Sequence, residues 1–90
     1  MKAVLVTTQH RGVFFGYVEA DADLTARTLS LKRARMAIRF GTTRGVAELA
    51  DSGPTDRSKI GSRADVPALQ DVTCVWAVTD EARDAWEAAE

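Results

Sequence analysis

Apolar and polar positions alternate unevenly along this chain, and the breaks in the pattern divide it into elements. Ala3 to Thr8 is β-branched and apolar on both faces, which predicts a well-covered strand. Gln9-His10-Arg11-Gly12 is a polar turn, and Val13 to Glu19 resumes as an aromatic-rich strand, so the chain opens on a β-hairpin. Asp21-Ala22-Asp23 marks the next turn, and Arg27 to Leu31 reads as a short strand with Leu29 and Leu31 on one face. From Ala34 to Phe40, the residues Ala34, Met36, Ile38 and Phe40 alternate with Arg35, Ala37 and Arg39. Period two fits this stretch better than helical spacing, and it assigns Met36, Ile38 and Phe40 to the core with Arg35 and Arg39 on the opposite face.

The second half carries helix punctuation. Thr42 or Thr43 can cap a helix through Val46, Ala47, Leu49 and Ala50, and Gly53 followed by Pro54 ends it. Residues 54–70 mix Gly, Pro, Ser, Asp and Arg with little periodicity and read as a long surface loop. Asp71 to Val78 is a strand with Val72, Cys74, Trp76 and Val78 on one face. Thr79 then caps a terminal helix with Asp80 and Glu81 in its first turn and an apolar stripe of Ala82, Ala85, Trp86 and Ala89. The pattern predicts one α+β domain over residues 1–90: a mainly antiparallel sheet of about five strands with two short helices, about 44–52 and 80–89.

Composition narrows the class. With 46% apolar and 28% charged residues the chain can build a core and is not a disordered tail. Small cores are often completed by self-association, so a homo-oligomer is expected. Cys74, the single cysteine, excludes an intrachain disulfide and reads as a buried, inert thiol; with one histidine, His10, it leaves too few soft ligands for a transition-metal site. Met1 to Val6 is too short an apolar run for a signal peptide and nothing approaches a membrane span, so a cytoplasmic protein is expected, with no cofactor.

Charge changes the picture most. Between Leu24 and Ala47 lie six cations, Arg27, Lys32, Arg33, Arg35, Arg39 and Arg44, and no acid, although the whole chain carries a net charge of −1. A near-neutral protein with sequence pI near 5.8 is a poor duplex binder, so nucleic acid is an unlikely partner and a compact anion is favoured. Arg35 and Arg39 on one strand face, roughly 13 Å apart, lead to Thr42, Thr43 and Arg44 at a helix start, where amide and hydroxyl donors join a guanidinium in a phosphate cradle. Arg11 in the first turn, and Ser58 and Lys59 in the long loop, complete the candidate ligand-binding set. Gly41 to Gly45 lacks the Lys-Ser/Thr ending of a phosphate-binding loop. The alternative is that the arginines pair with the acids of the terminal helix, five in residues 80–90 against one arginine. No nucleophile, base or carboxylate pair suggests catalysis. Trp76 and Trp86 read as core, while one of Phe14, Phe15 or Tyr17 is left to stack on a base or fill a subunit interface.

Thr8 to Tyr17, Ala34 to Ile38, Arg44 to Ala50, Gly53-Pro54-Thr55, Ser58-Lys59-Ile60, Val72-Thr73 and Ala85-Trp86 together resemble a group of short proteins encoded by bacteriophages and prophages. In size and layout the chain is also similar to small phage proteins that antagonise bacterial immunity by sequestering nucleotide signals. That resemblance implies an oligomer that binds a cyclic nucleotide or a cyclic ADP-ribose derivative without cleaving it, in the host cytoplasm. The rival expectation is a structural or protein-binding phage component with no small-molecule ligand.

Overall fold

Strand β1 (Lys2–Thr8) pairs antiparallel with β2 (Val13–Val18), from Lys2 opposite Val18 to Thr7 opposite Val13, which is the hairpin the sequence predicts. The computed structural model describes residues 1–9, 12–39 and 46–89, and of Arg39 the backbone alone. Strand β3 (Leu29–Arg39) pairs with β2, and its other edge carries β4 (Lys59–Ile60) along the C-terminal half and β5 (Ala64–Leu69) along the N-terminal half. Strand β6 (Val72–Ala77) pairs with β1, so the path runs β4-β3-β2-β1-β6 with β5 also on β3. Helices α1 (Val46–Asp51) and α2 (Asp80–Ala88) complete an α+β fold that has, among the described residues, six strands rather than about five.

The extra strands come from residues 54–70, which the aperiodic sequence presents as loop. An edge strand needs hydrogen bonds on one side only, so β5 tolerates Pro67 and exposed Ala64 and Asp65. The two predicted strands at 27–31 and 34–40 are one strand interrupted by a bulge. Phe15 faces Arg35 but Tyr17 faces Lys32, so β3 passes three residues while β2 passes two. Arg33 takes up the difference at φ 53°, its amide donating to Asp65 Oδ1 at 2.9 Å. Gly16 lies beside the bulge, where a Cβ would come within 3.2 Å of Leu31 Cβ.

Only Gln70 and Asp71 separate β5 from β6, although Leu69 pairs with Leu29 and Val72 with Thr8. Two linking residues span at most about 11 Å between Leu69 and Val72, so the start of β3 must lie near the end of β1. The Val72 amide donates to the Arg27 carbonyl at 2.9 Å and fixes that proximity. The sheet therefore curls, enclosing one apolar cluster of Val4, Val6, Val18, Leu29, Leu31, Ala34 and Leu69. Its opposite face carries Leu5, Val13, Phe15 and Ala37 against Leu49 and Ala50 of α1 and Ala82 and Trp86 of α2.

Trp86 anchors that second cluster. Its ring stacks on Phe15 with centroids 5.2 Å apart and planes 6° from parallel, and its Nε1 donates to the Leu49 carbonyl at 2.9 Å. Burying an aromatic of this size contributes on the order of 2–3 kcal/mol. Thr79 caps α2 as the sequence predicts, accepting from the Ala82 amide at 3.1 Å. Gly53 ends α1 at φ +85°, with its amide on the Glu48 carbonyl at 3.1 Å.

Two expectations about faces are overturned. In β3 the alternation exists, but its sense is reversed: Arg35 and Ala37 are buried, while Met36 and Ile38 are 43% and 58% exposed. In β6 a bulge at Thr73 sets Thr7 opposite Cys74 and Thr8 opposite Val72, so Val72 and Val75 join the curled cluster while Trp76 faces the helices. Cys74 is consequently exposed, not a buried thiol.

Candidate functional site

Within the basic run, Arg33 and Arg35 are engaged inside the fold. Arg35 leaves β3 toward the C-terminal end of α2, where the last carbonyls of a helix lack intrahelical donors. Its Nη1 donates to the carbonyls of Trp86 at 2.8 Å and Ala89 at 2.7 Å, and its Nε to the Gly61 carbonyl at 2.9 Å. A buried cation is tolerated there because those carbonyls carry the negative end of the helix dipole. Burial pulls the guanidinium below its ordinary pKa; nearby Arg63 acts in the same sense, and Glu87 opposes both. Arg35 is thus a capping residue for α2 and is not available to a ligand, which corrects its place in the predicted phosphate cradle.

Glu87, also on α2, draws two more cations. Its Oε2 accepts from Arg33 Nη2 at 2.9 Å, and its Oε1 lies 3.7 Å from Arg63 Nε, too far for a hydrogen bond. Arg63 Nη2 donates to the Glu87 backbone carbonyl as well. The internal pairing anticipated as the alternative for the basic run therefore holds for Arg33. Arg83 pairs with Asp80 and Asp84 on its own helix.

Two more cationic residues meet where β4 pairs with the end of β3. Arg39 and Lys59 are register partners across the antiparallel pair. Residues 55–58 form a tight turn just before Lys59: the Ser58 amide donates to the Thr55 carbonyl at 3.0 Å, and the Thr55 amide to Ser58 Oγ at 3.0 Å. The Arg57 amide adds a bond to Thr55 Oγ1 at 3.2 Å. The turn leaves the Arg57 and Lys59 side chains exposed, and among the described residues neither forms an ion pair. Like charges at directly opposed positions destabilise a strand pair unless an anion lies between them. Arg57 joins Ser58 and Lys59 as a residue of the long loop that the sequence offers to close over a ligand. The structure brings Arg39, Ser58 and Lys59 of the predicted binding set together, whereas Arg11, Thr42, Thr43 and Arg44 lie outside the described residues.

The structure narrows the set of aromatics left to stack or fill an interface. Phe15 is fully buried between Trp86 and Tyr17, the latter edge-on at 5.4 Å, so it cannot stack on a ligand. Phe14, half-buried, lies opposite Met36 on the curled face. Among the described residues no group of three or more His, Cys, Asp or Glu side chains is placed to hold a metal ion.

Residues 1–86 match the family model described as a domain of unknown function, DUF6948. The chain belongs to that family. No curated protein and no solved structure matches it. The matched span covers every described strand and all but the last residues of α2, so the corner of β3 and β4 lies within the family domain, as do Arg35 and its acceptors Gly61 and Trp86, while Ala89 lies beyond it.

Proposed function

We propose that this protein holds a phosphorylated small molecule, without transforming it, at the corner formed by Arg39, Arg57 and Lys59. The observation that carries this reading is the register pairing of Arg39 with Lys59, two cationic residues directly opposed on neighbouring strands. A phosphate between them converts a repulsive pair into charge-assisted hydrogen bonds, and arginine holds phosphate with two parallel donors. Thr42, Thr43 and Arg44 follow Arg39 in the chain and would extend the donor set. A nucleotide or cyclic ADP-ribose derivative is the ligand favoured by the resemblance to phage proteins that sequester immune signals, and a homo-oligomer the form in which so small a chain would enclose it. Binding without catalysis fits the acids near the arginines: Asp80, Asp84 and Glu87 are engaged by Arg83, Arg33 and Arg63.

A second reading, a protein-binding component without a small ligand, is favoured by the exposed Met36 and Ile38 on β3. Thermal unfolding with a panel of linear and cyclic nucleotides and cyclic ADP-ribose isomers separates the two. At least one phosphorylated compound should raise the melting temperature at micromolar concentration, and Arg57→Glu should remove that rise. A flat panel favours the second reading. A strict monomer by solution mass at micromolar concentration would refute the oligomer.

A further inference from the structure

At the opposite end of β1 from the cationic corner lies a half-open cavity of about 400 Å³, lined by Lys2, Ala3, Val4, Leu24 and residues 75–78. Strand register explains why it exists. The β1–β6 ladder ends at Val4 opposite Ala77, while β1 continues to Lys2 against β2 alone. Among the described residues, the edge of Lys2 and Ala3 facing away from β2 therefore has no strand beside it, and β6 departs there toward α2. The connection between β2 and β3 supplies Leu24 as a further wall.

The lining is apolar except for one charge. Val4, Leu24, Val75 and Ala77 give a hydrocarbon surface, Trp76 adds an indole, and the exposed Lys2 is the only charged side chain in the set. A cavity of this size is in the range that holds a small organic molecule. An apolar body with a single anionic end meets both the hydrocarbon walls and the Lys2 ammonium.

We propose that this cavity is a binding site for a small apolar carboxylate, its hydrocarbon between Val4, Leu24 and Val75 and its carboxylate at Lys2. The site is separate from the Arg39, Arg57 and Lys59 corner and stands or falls independently of it. The probe is octanoate, titrated into the full chain while amide and indole resonances are followed by nuclear magnetic resonance. Saturable shifts are expected at residues 2–4 and 75–78 and at the Trp76 indole, unchanged by Lys59→Glu. Lys2→Glu, on an exposed side chain, should weaken the apparent affinity at least ten-fold, and octanol should bind at least ten-fold more weakly than octanoate. Leu24→Trp, which fills the cavity, should abolish the shifts. The proposal is overturned by absence of saturable shifts up to millimolar octanoate, by equal affinity for octanol, or by indifference to Lys2→Glu. The same resonances shifting with protein concentration alone would show a second copy in the cavity and would equally overturn it.

Discussion

Arg35 and Trp86, 51 residues apart, are joined by a hydrogen bond of 2.8 Å from guanidinium to backbone carbonyl. With Ala89 and Gly61 as further acceptors, that arginine ties the middle of β3 to the end of α2 and to the residue after β4. The most basic stretch of the chain thus contributes a structural cation to the core, and the proposed binding role falls to the corner beyond it.

Replacing Arg35 with Met should cost about 2–4 kcal/mol, because three carbonyls each lose a charged donor in a poorly solvated site. Arg35→Lys should recover only part, since an ammonium cannot reproduce the spread of Nε and Nη1. Urea unfolding of the two variants measures this. A change below about 0.5 kcal/mol for Arg35→Met would place the side chain in solvent.

Gly53→Ala should destabilise by about 1–3 kcal/mol. The residue holds φ +85°, and a Cβ there would come within 2.6 Å of Ala85 Cβ and 3.0 Å of the Ala82 carbonyl oxygen. In a double-mutant cycle by thermal unfolding, Ala85→Gly should relieve part of that cost, which a purely conformational penalty would not allow.

Tyr17 introduces an alkaline pH dependence. Burial first, and the neighbouring Glu87 second, push its phenol above the ordinary value of 10.0, against weaker opposition from Arg33 and Arg83. The folded chain then retains a proton that the unfolded chain releases. This contribution to stability is present below about pH 10 and is lost as pH rises through the folded value. Urea midpoints between about pH 8 and 11 should fall more steeply for the wild type than for Tyr17→Phe. Parallel curves would contradict the shift.

Cys74 should react with a thiol reagent in the native state, because the Thr73 bulge leaves it exposed on β6. Labelling that waits for denaturant would return Cys74 to the interior and undo the register derived for β6.

What could be read from the sequence was local. The hairpin, the Thr79 cap, the Gly53 stop and the Ala82 and Trp86 stripe each depend on residues within a few positions of one another, and each is present. Position 35 was misread because a buried arginine is rational only once the open end of α2 is beside it. Strand β5 was missed because an edge strand carrying Pro67 and Asp65 shows no alternation. The Thr73 bulge, which reverses the faces of β6, leaves no mark in hydropathy. For the candidate site, Lys59 and Arg39 were visible as charges, but their opposition across β3 and β4 follows from a pairing that residues 54–70 did not announce.

The central claim is that the Arg39, Arg57 and Lys59 corner holds a phosphorylated small molecule and releases it unchanged. Its most direct test is to incubate the protein with the nucleotide panel, isolate it by size exclusion, denature it and weigh the released small molecule. The account predicts that one phosphorylated compound travels with the wild type, is recovered at its original mass, and is lost from Lys59→Glu while that variant remains folded. No compound travelling with the protein, a recovered compound of altered mass, or full retention by folded Lys59→Glu would contradict it.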